Sequence, residues 1–317
     1  MRGENLKDDE SKGYLSVMAA AVLWASSGTA GKALFNQGMT PLELVQIRVT
    51  MSTIMLGVIY GVFARDLLKV RLRDLGYFFI IGGIAMAGVH VTYFYAISKI
   101  QVAAAILLEY LSPIFVALVS ICFLKERLTS VKILALILAV SGCYLVVGGY
   151  NLQLMVMNRA GILSGLGAAV FFAAYTLLGE RGMHRYSPWT ILFYALAFAA
   201  LTMHLVYPPF RYLRGNFTKA EWGWIVYIVV LGTILPFALY FIGVNHIRST
   251  RAMITATLEP ISAGFIAFLF LGETMEPLQV AGGFLVITAI VLQQIQKERD
   301  ELAPAFIRAR RKENSER

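Results

Sequence analysis

Charge is what this chain has least of: Asp, Glu, Lys and Arg make up 15% of its 317 residues, whereas hydrophobic types make up 58%. A soluble protein of that composition would have to bury nearly every segment on all sides, so a soluble fold is excluded. Cysteine is nearly missing as well. Cys122 and Cys143 fit no metal-ligand spacing and read as small apolar fillers rather than a redox pair. The four histidines form no HExxH motif and no GxSxG elbow occurs. The GTAGK run at 28–32 lacks both the glycine spacing and the following hydroxyl of a phosphate-binding loop. Hydrolase signatures and an ATP-driven mechanism are therefore unsupported, and no cofactor or metal is expected. The net charge of +9 raises nucleic acid as a partner, but the basic residues sit in short clusters between apolar runs, as orienting charges beside lipid headgroups do. No nucleic-acid partner is expected.

What the chain does have is apolar runs of about 20 residues, the length a bilayer core requires. Ten are expected: 13–35, 44–63, 75–98, 102–124, 131–149, 161–179, 189–207, 222–244, 251–271 and 278–296. They are continuous rather than alternating, which argues against a barrel. The first twelve residues are charged and no small-residue cleavage site follows, so the first run is read as a retained helix rather than a signal peptide. With an even number of spans both termini share a side. Placing them in the cytoplasm puts twenty-one Lys and Arg residues inside against six outside, the sense of the positive-inside rule.

The chain is also a duplication. The stretch AAILLEYLSPIFVALVSICFLKERL, which ends at Leu128, returns 147 positions later as RAMITATLEPISAGFIAFLFLGETM. At that offset Tyr93 meets Tyr240, Phe94 meets Phe241, Ile100 meets Ile247, Pro113 meets Pro260 and Glu126 meets Glu273. Thr40-Pro41 and Ser187-Pro188 likewise precede the second helix of each copy. Five helices per copy is an odd number, so the second copy enters the membrane from the opposite side. The expected fold is an all-α polytopic membrane protein of ten helices in two inverted five-helix repeats. The parts are an N-tail at 1–12, a first repeat at 13–149, a linker at 150–160, a second repeat at 161–296 and a basic C-tail at 297–317, both tails cytoplasmic. Inverted repeats around a central site are the architecture of secondary transporters.

In Trp24-Ala-Ser-Ser27, Pro41, Arg48, Tyr93 to Ala96, Glu109 to Pro113 with Leu124-Lys-Glu126, and Glu259-Pro260 with Gly272-Glu273, the sequence resembles the drug/metabolite transporter superfamily, in its EamA branch. The resemblance runs from Gly13 to Gln296. It implies export of small metabolites from the cytoplasm across the cell membrane, often amino acids, aromatic ones among them.

Ionisable groups within a span cost about 2.5–3.5 kcal/mol each on insertion scales, so each requires a reason. Glu109 reads either as a cation or proton site, the coupling candidate, or as a structural partner for an arginine. Glu259, immediately before Pro260, sits where proline frees a carbonyl one turn back, which suits a substrate site or a kink needed for packing. Pro113 and Pro260 are matched hinge candidates. His90 reads as a group that orients a carboxylate or amine, or as a histidine satisfied within the bilayer. Tyr93 and Tyr240 read as an aromatic from each repeat turned to the pseudo-twofold axis, or as an interfacial belt. Trp24 and Ser27 share a face of the first helix with Gly28 and Gly31, and Tyr175 holds the position matching Ser27. Arg48 is read chiefly as structural. Lys32, Glu43, Glu180 and Arg181 are expected to be solvated near span ends. The reading is an alternating-access exporter with a small-molecule substrate, lipid around it and protons as the candidate coupling ion. A channel, an exporter of nucleosides or cationic drugs, and a membrane-embedded lipid enzyme are the competing readings.

Overall fold

The computed structural model describes residues 2–100, 102–123, 129–146, 149–150, 158–210, 212, 217–271, 276–295, 303–305 and 307–308. The corners at 125–127 and 272–274, and most of the 150–160 linker and of the C-tail, lie outside the described residues. All regular structure among the described residues is helical. In chain order it runs α1 (Arg2–Asn36), α2 (Pro41–Phe63), α3 (Leu75–Phe78), α4 (Ala87–Lys99), α5 (Val102–Glu109), α6 (Ser112–Phe123), α7 (Ser130–Val146), α8 (Arg159–Met183), α9 (Pro188–Val206), α10 (Lys219–Val229), α11 (Leu235–Ala256), α12 (Leu258–Leu271) and α13 (Pro277–Ile295). Widened π-helical turns at Phe79–Met86 and Val230–Ile234 join α3 to α4 and α10 to α11.

Among the described residues, five stretches are long and apolar enough to cross a bilayer, at Pro41–Phe63, Leu72–Lys99, Arg159–Met183, Pro188–Val206 and Lys219–Ala256, and shorter apolar helices accompany them. Their outward faces carry large apolar side chains such as Phe63 (83% exposed), Leu205 (76%) and Leu163 (70%). Such a surface is stable only against hydrocarbon.

Local sequence explains the helix starts. Thr40 accepts a hydrogen bond from the Glu43 amide at 3.3 Å, Ser187 accepts one from Thr190 at 3.1 Å, and each is followed by proline in the first turn, where no amide hydrogen bond is lost. The expected N-tail is continuous with α1, which begins at Arg2.

The polar run around Arg248 is expected as a break between spans, and α11 is interrupted there: Arg248 stands at φ 65 and ψ 171, a kink between the helical stretches on either side. What differs from expectation is Glu180 of α8, expected to be solvated but only 2% exposed. Its carboxylate accepts from Arg248 Nε at 2.9 Å, from the Ser249 amide at 2.8 Å and from the Ser249 hydroxyl. The charge and amides that signal a loop are satisfied inside the protein. A second break falls at Thr257, and its counterpart lies 147 residues earlier at Tyr110, between α5 and α6. Pro113 and Pro260 sit in the first turns of α6 and α12, just after these breaks.

The last helix of each half, α7 and α13, pack backbone to backbone. A Cβ built on Gly142 would stand 2.7 Å from the Gly282 carbonyl oxygen, and one on Gly282 would stand 2.7 Å from the Gly142 carbonyl oxygen. The 147-residue offset carries Gly142 onto Ala289 and Gly282 onto Ala135, two small residues of one buried cluster. Small residues let helices approach closely where no hydrophobic drive separates lipid from protein. Gly282→Val forces this contact apart, and we expect a loss of about 1–3 kcal/mol or more, read as a lower melting midpoint of the detergent-purified protein.

Candidate functional site

The breaks and α1 converge on one cavity. Trp24, Ser27 and Gly28 reach it from α1, Arg48 from α2, Val89, His90 and Tyr93 from α4, Glu109 from α5, Phe172 from α8, Phe237 from α11 and Glu259 from α12. Its volume of about 50 Å³ holds a few waters at roughly 10–15 Å³ each, and not a metabolite.

Aromatic rings form one wall. Trp24 packs edge-on against Phe237 at 4.9 Å and Phe172 at 5.8 Å between centroids, and His90 stacks on Phe237 at 5.2 Å. These are position-matched residues of the two halves: His90 and Phe237 are 147 apart, and Trp24 and Phe172 are 148 apart, the spacing of Ser27 and Tyr175. Equivalent side chains that touch each other lie where the halves meet. Phe172 and Phe237 were missed in the sequence, yet the repeat offset pointed to both.

Polar atoms complete the lining. His90 Nδ1 lies 2.8 Å from the Met86 carbonyl, a pure acceptor, so it carries the ring proton and leaves Nε2 as an acceptor. Nε2 of His90 and the Trp24 Nε1 donor are buried with no hydrogen-bond partner among the described residues. Buried polar atoms are nearly always paired, so an orphan donor and an orphan acceptor on one cavity mark where a ligand or water belongs. Arg48 donates from Nε to Thr233 Oγ1 at 3.0 Å and from Nη2 to the Gly232 carbonyl at 2.9 Å, and its guanidinium lies 4.9 Å from the Phe94 centroid. It ties α2 to the π turn of the other half, a structural role, while also facing the cavity.

Two carboxylates share the cavity with that arginine. Glu109 closes α5 at the first break and Glu259 lies just past the second. Tyr110 Oη stands 2.8 Å from Glu259 Oε2 and 2.7 Å from the Ala256 carbonyl oxygen. A phenol has one proton, and a carbonyl and an ionised carboxylate are both acceptors only. Both contacts are hydrogen bonds at once when Glu259 is the donor to Tyr110. Tyr110 was not singled out in the sequence, because nothing local marks a tyrosine that reaches across to the other half.

The remaining candidates stand behind this lining. Tyr240 is fully buried, shares a hydrogen bond of 2.9 Å with Thr176 and packs 5.3 Å from Trp24. Tyr175 stacks on Phe241 at 4.7 Å. Neither lines the cavity; they back the aromatic wall. Lys32, expected in solvent, donates to the Ile97 carbonyl at 2.6 Å near the end of α4.

The sequence matches the model of the EamA-like transporter family twice, over residues 11–148 and 159–293. It is 26% identical over 295 residues to YicL, an inner membrane transporter of Salmonella typhimurium, covering 91% of this chain and 97% of that one. It is 26% identical to the threonine/homoserine exporter RhtA of Escherichia coli, covering 65% and 67%. A solved crystal structure superposes with a TM-score of 0.69 at 19% identity, covering 89% of this chain and 96% of that one, which shows a shared fold. The chain is an integral membrane protein of the EamA-like transporter family, within the drug/metabolite transporter superfamily.

Proposed function

We propose that the protein exports a small metabolite, an amino acid or a close relative, across the cell membrane by alternating access. In this reading ten helices form two inverted halves, 13–149 and 161–296, with both termini in the cytoplasm and the cavity between the halves. The observation that carries the proposal is the lining itself: two acids, one arginine, an orphan donor, an orphan acceptor and an aromatic wall where the halves meet. An amino acid presents the complementary groups. Its ammonium suits Glu109 and Glu259, its carboxylate suits the Trp24 Nε1 and Arg48 donors, and its side chain meets Phe172 and Phe237. The exporter name of RhtA supports the substrate class. A cavity this small is a closed state, so the halves separate to admit cargo.

Glu259 is proposed as the proton carrier, because the Tyr110 contacts balance when it holds a proton. Release of that proton toward the cytoplasm leaves a carboxylate for the incoming ammonium, with Glu109 beside it. One site thereby takes either a proton or a cationic group, which is the logic of exchange. A lipid enzyme needs an acid–base pair facing the bilayer, and His90 and Glu259, at 3% and 5% exposed, do not supply one.

Trp24→Phe tests the lining with little loss of packing. The ring stays and the Nε1 donor goes, so KM for the transported amino acid in proteoliposomes should rise about 2- to 10-fold, the value of one neutral hydrogen bond. An unchanged KM removes Trp24 from the site.

A further inference from the structure

A second cavity opens at the membrane surface, away from the transport site. Its volume is about 760 Å³, within the range of about 300–1,000 Å³ typical of ligand sites. Three segments that are distant in sequence build it: Lys69 to Arg71 after α2, His184 to Tyr186 at the corner after α8, and Arg308. Four of its seven lining residues are Lys or Arg. Tyr186 holds two of the segments together, its hydroxyl donating to Asp74 Oδ2 at 2.6 Å and accepting from the Arg71 amide at 3.3 Å.

Carboxylates balance only part of this charge. Lys69 pairs with Asp66 at 2.6 Å, which holds the aspartate below its ordinary pKa, and Arg185 lies 3.6 Å from Asp74. Arg308 donates to the Met183 and Tyr186 carbonyls and, at 2.7 Å, to Asn245 Oδ1. All three are neutral. Neither Arg71 nor Arg308 has a carboxylate within ion-pair distance among the described residues. Burial holds the Arg308 guanidinium below its ordinary pKa, the mark of a cation that has given up water without gaining a counter-charge.

We propose that this cleft binds the phosphate of an anionic phospholipid headgroup. The cleft lies where helices leave the bilayer, on the side to which the basic loops assign the cytoplasm, and anionic lipid is enriched at that surface. Leu72, 82% exposed beside Arg71, offers apolar surface to an acyl chain. A free phosphate has no use for that surface. A headgroup in the cleft touches segments from both halves of the chain and braces one against the other.

The test is a melting titration of the full-length protein, delipidated in a nonionic detergent. Phosphatidylglycerol should raise the midpoint saturably, and phosphatidylcholine should not. Arg71→Gln and Lys69→Gln should each weaken the apparent affinity about 5-fold, the effect of one surface cation near anionic lipid, while Lys219→Gln, on the face assigned outside, leaves it unchanged. Arg308→Lys keeps the charge and should bind more tightly than Arg308→Gln, which separates a headgroup contact from a role in folding. Equal stabilisation by phosphatidylcholine, or wild-type affinity in the Arg71 and Lys69 variants, overturns the proposal. Protection by inorganic phosphate that displaces the lipid reassigns the site to a soluble anion and overturns it equally.

Discussion

Glu259→Gln is expected to retain saturable exchange of substrate in proteoliposomes, with KM raised roughly 10- to 100-fold, and to lose all response to an imposed pH gradient. The side chains are nearly the same shape, so the cavity and the Tyr110 contact persist. What disappears is the exchangeable proton and the charge that receives an ammonium group. A hydrogen bond to a charged group contributes about 1.5–3 kcal/mol, which sets the size of the KM change. Coupling and binding are read separately here. A gradient response that survives in Glu259→Gln and vanishes in Glu109→Gln would place the proton on Glu109, the residue that the sequence alone put forward. Survival in both would leave a passive carrier.

Glu180→Ala is expected to cost the fold about 3–5 kcal/mol, the usual effect of removing one partner from a buried ion pair. A typical margin is about 5–15 kcal/mol, so little detergent-stable protein should remain. The Arg248 backbone adds to the burden. Its φ of 65 lies where a non-glycine residue costs on the order of 1–3 kcal/mol, and the Glu180 bonds to Arg248 Nε and the Ser249 amide hold that turn. Glu180→Gln keeps an acceptor for Ser249 and should lose distinctly less. Size-exclusion profiles and melting midpoints of the two variants decide it, and a wild-type midpoint in Glu180→Ala would refute the structural role given to this network.

These two residues show what sequence can and cannot carry. Helices and repeat were legible because lipid imposes long apolar runs and duplication preserves spacing, so the Tyr110 and Thr257 breaks fall 147 residues apart. Trp24, His90, Glu109 and Glu259 were legible as ionisable or amphipathic groups inside spans, where each requires a reason. Glu180 was misread as solvated because a charge near a span end looks the same whether it meets water or a partner on another helix. Tyr175 and Tyr240 were placed in the site by symmetry, but Trp24 and Phe237 fill the space in front of them. The offset fixes which residues correspond, and the side-chain volumes of the two halves decide which of them reaches the cavity.

The central claim is a carrier whose single site faces one side at a time, and counterflow tests it most directly. Proteoliposomes of the purified protein, loaded with unlabelled threonine, phenylalanine or cysteine, should accumulate the same labelled amino acid transiently above equilibrium, with uptake that saturates. Uptake that rises linearly with concentration and is indifferent to the internal load would mean a channel, and would contradict the account.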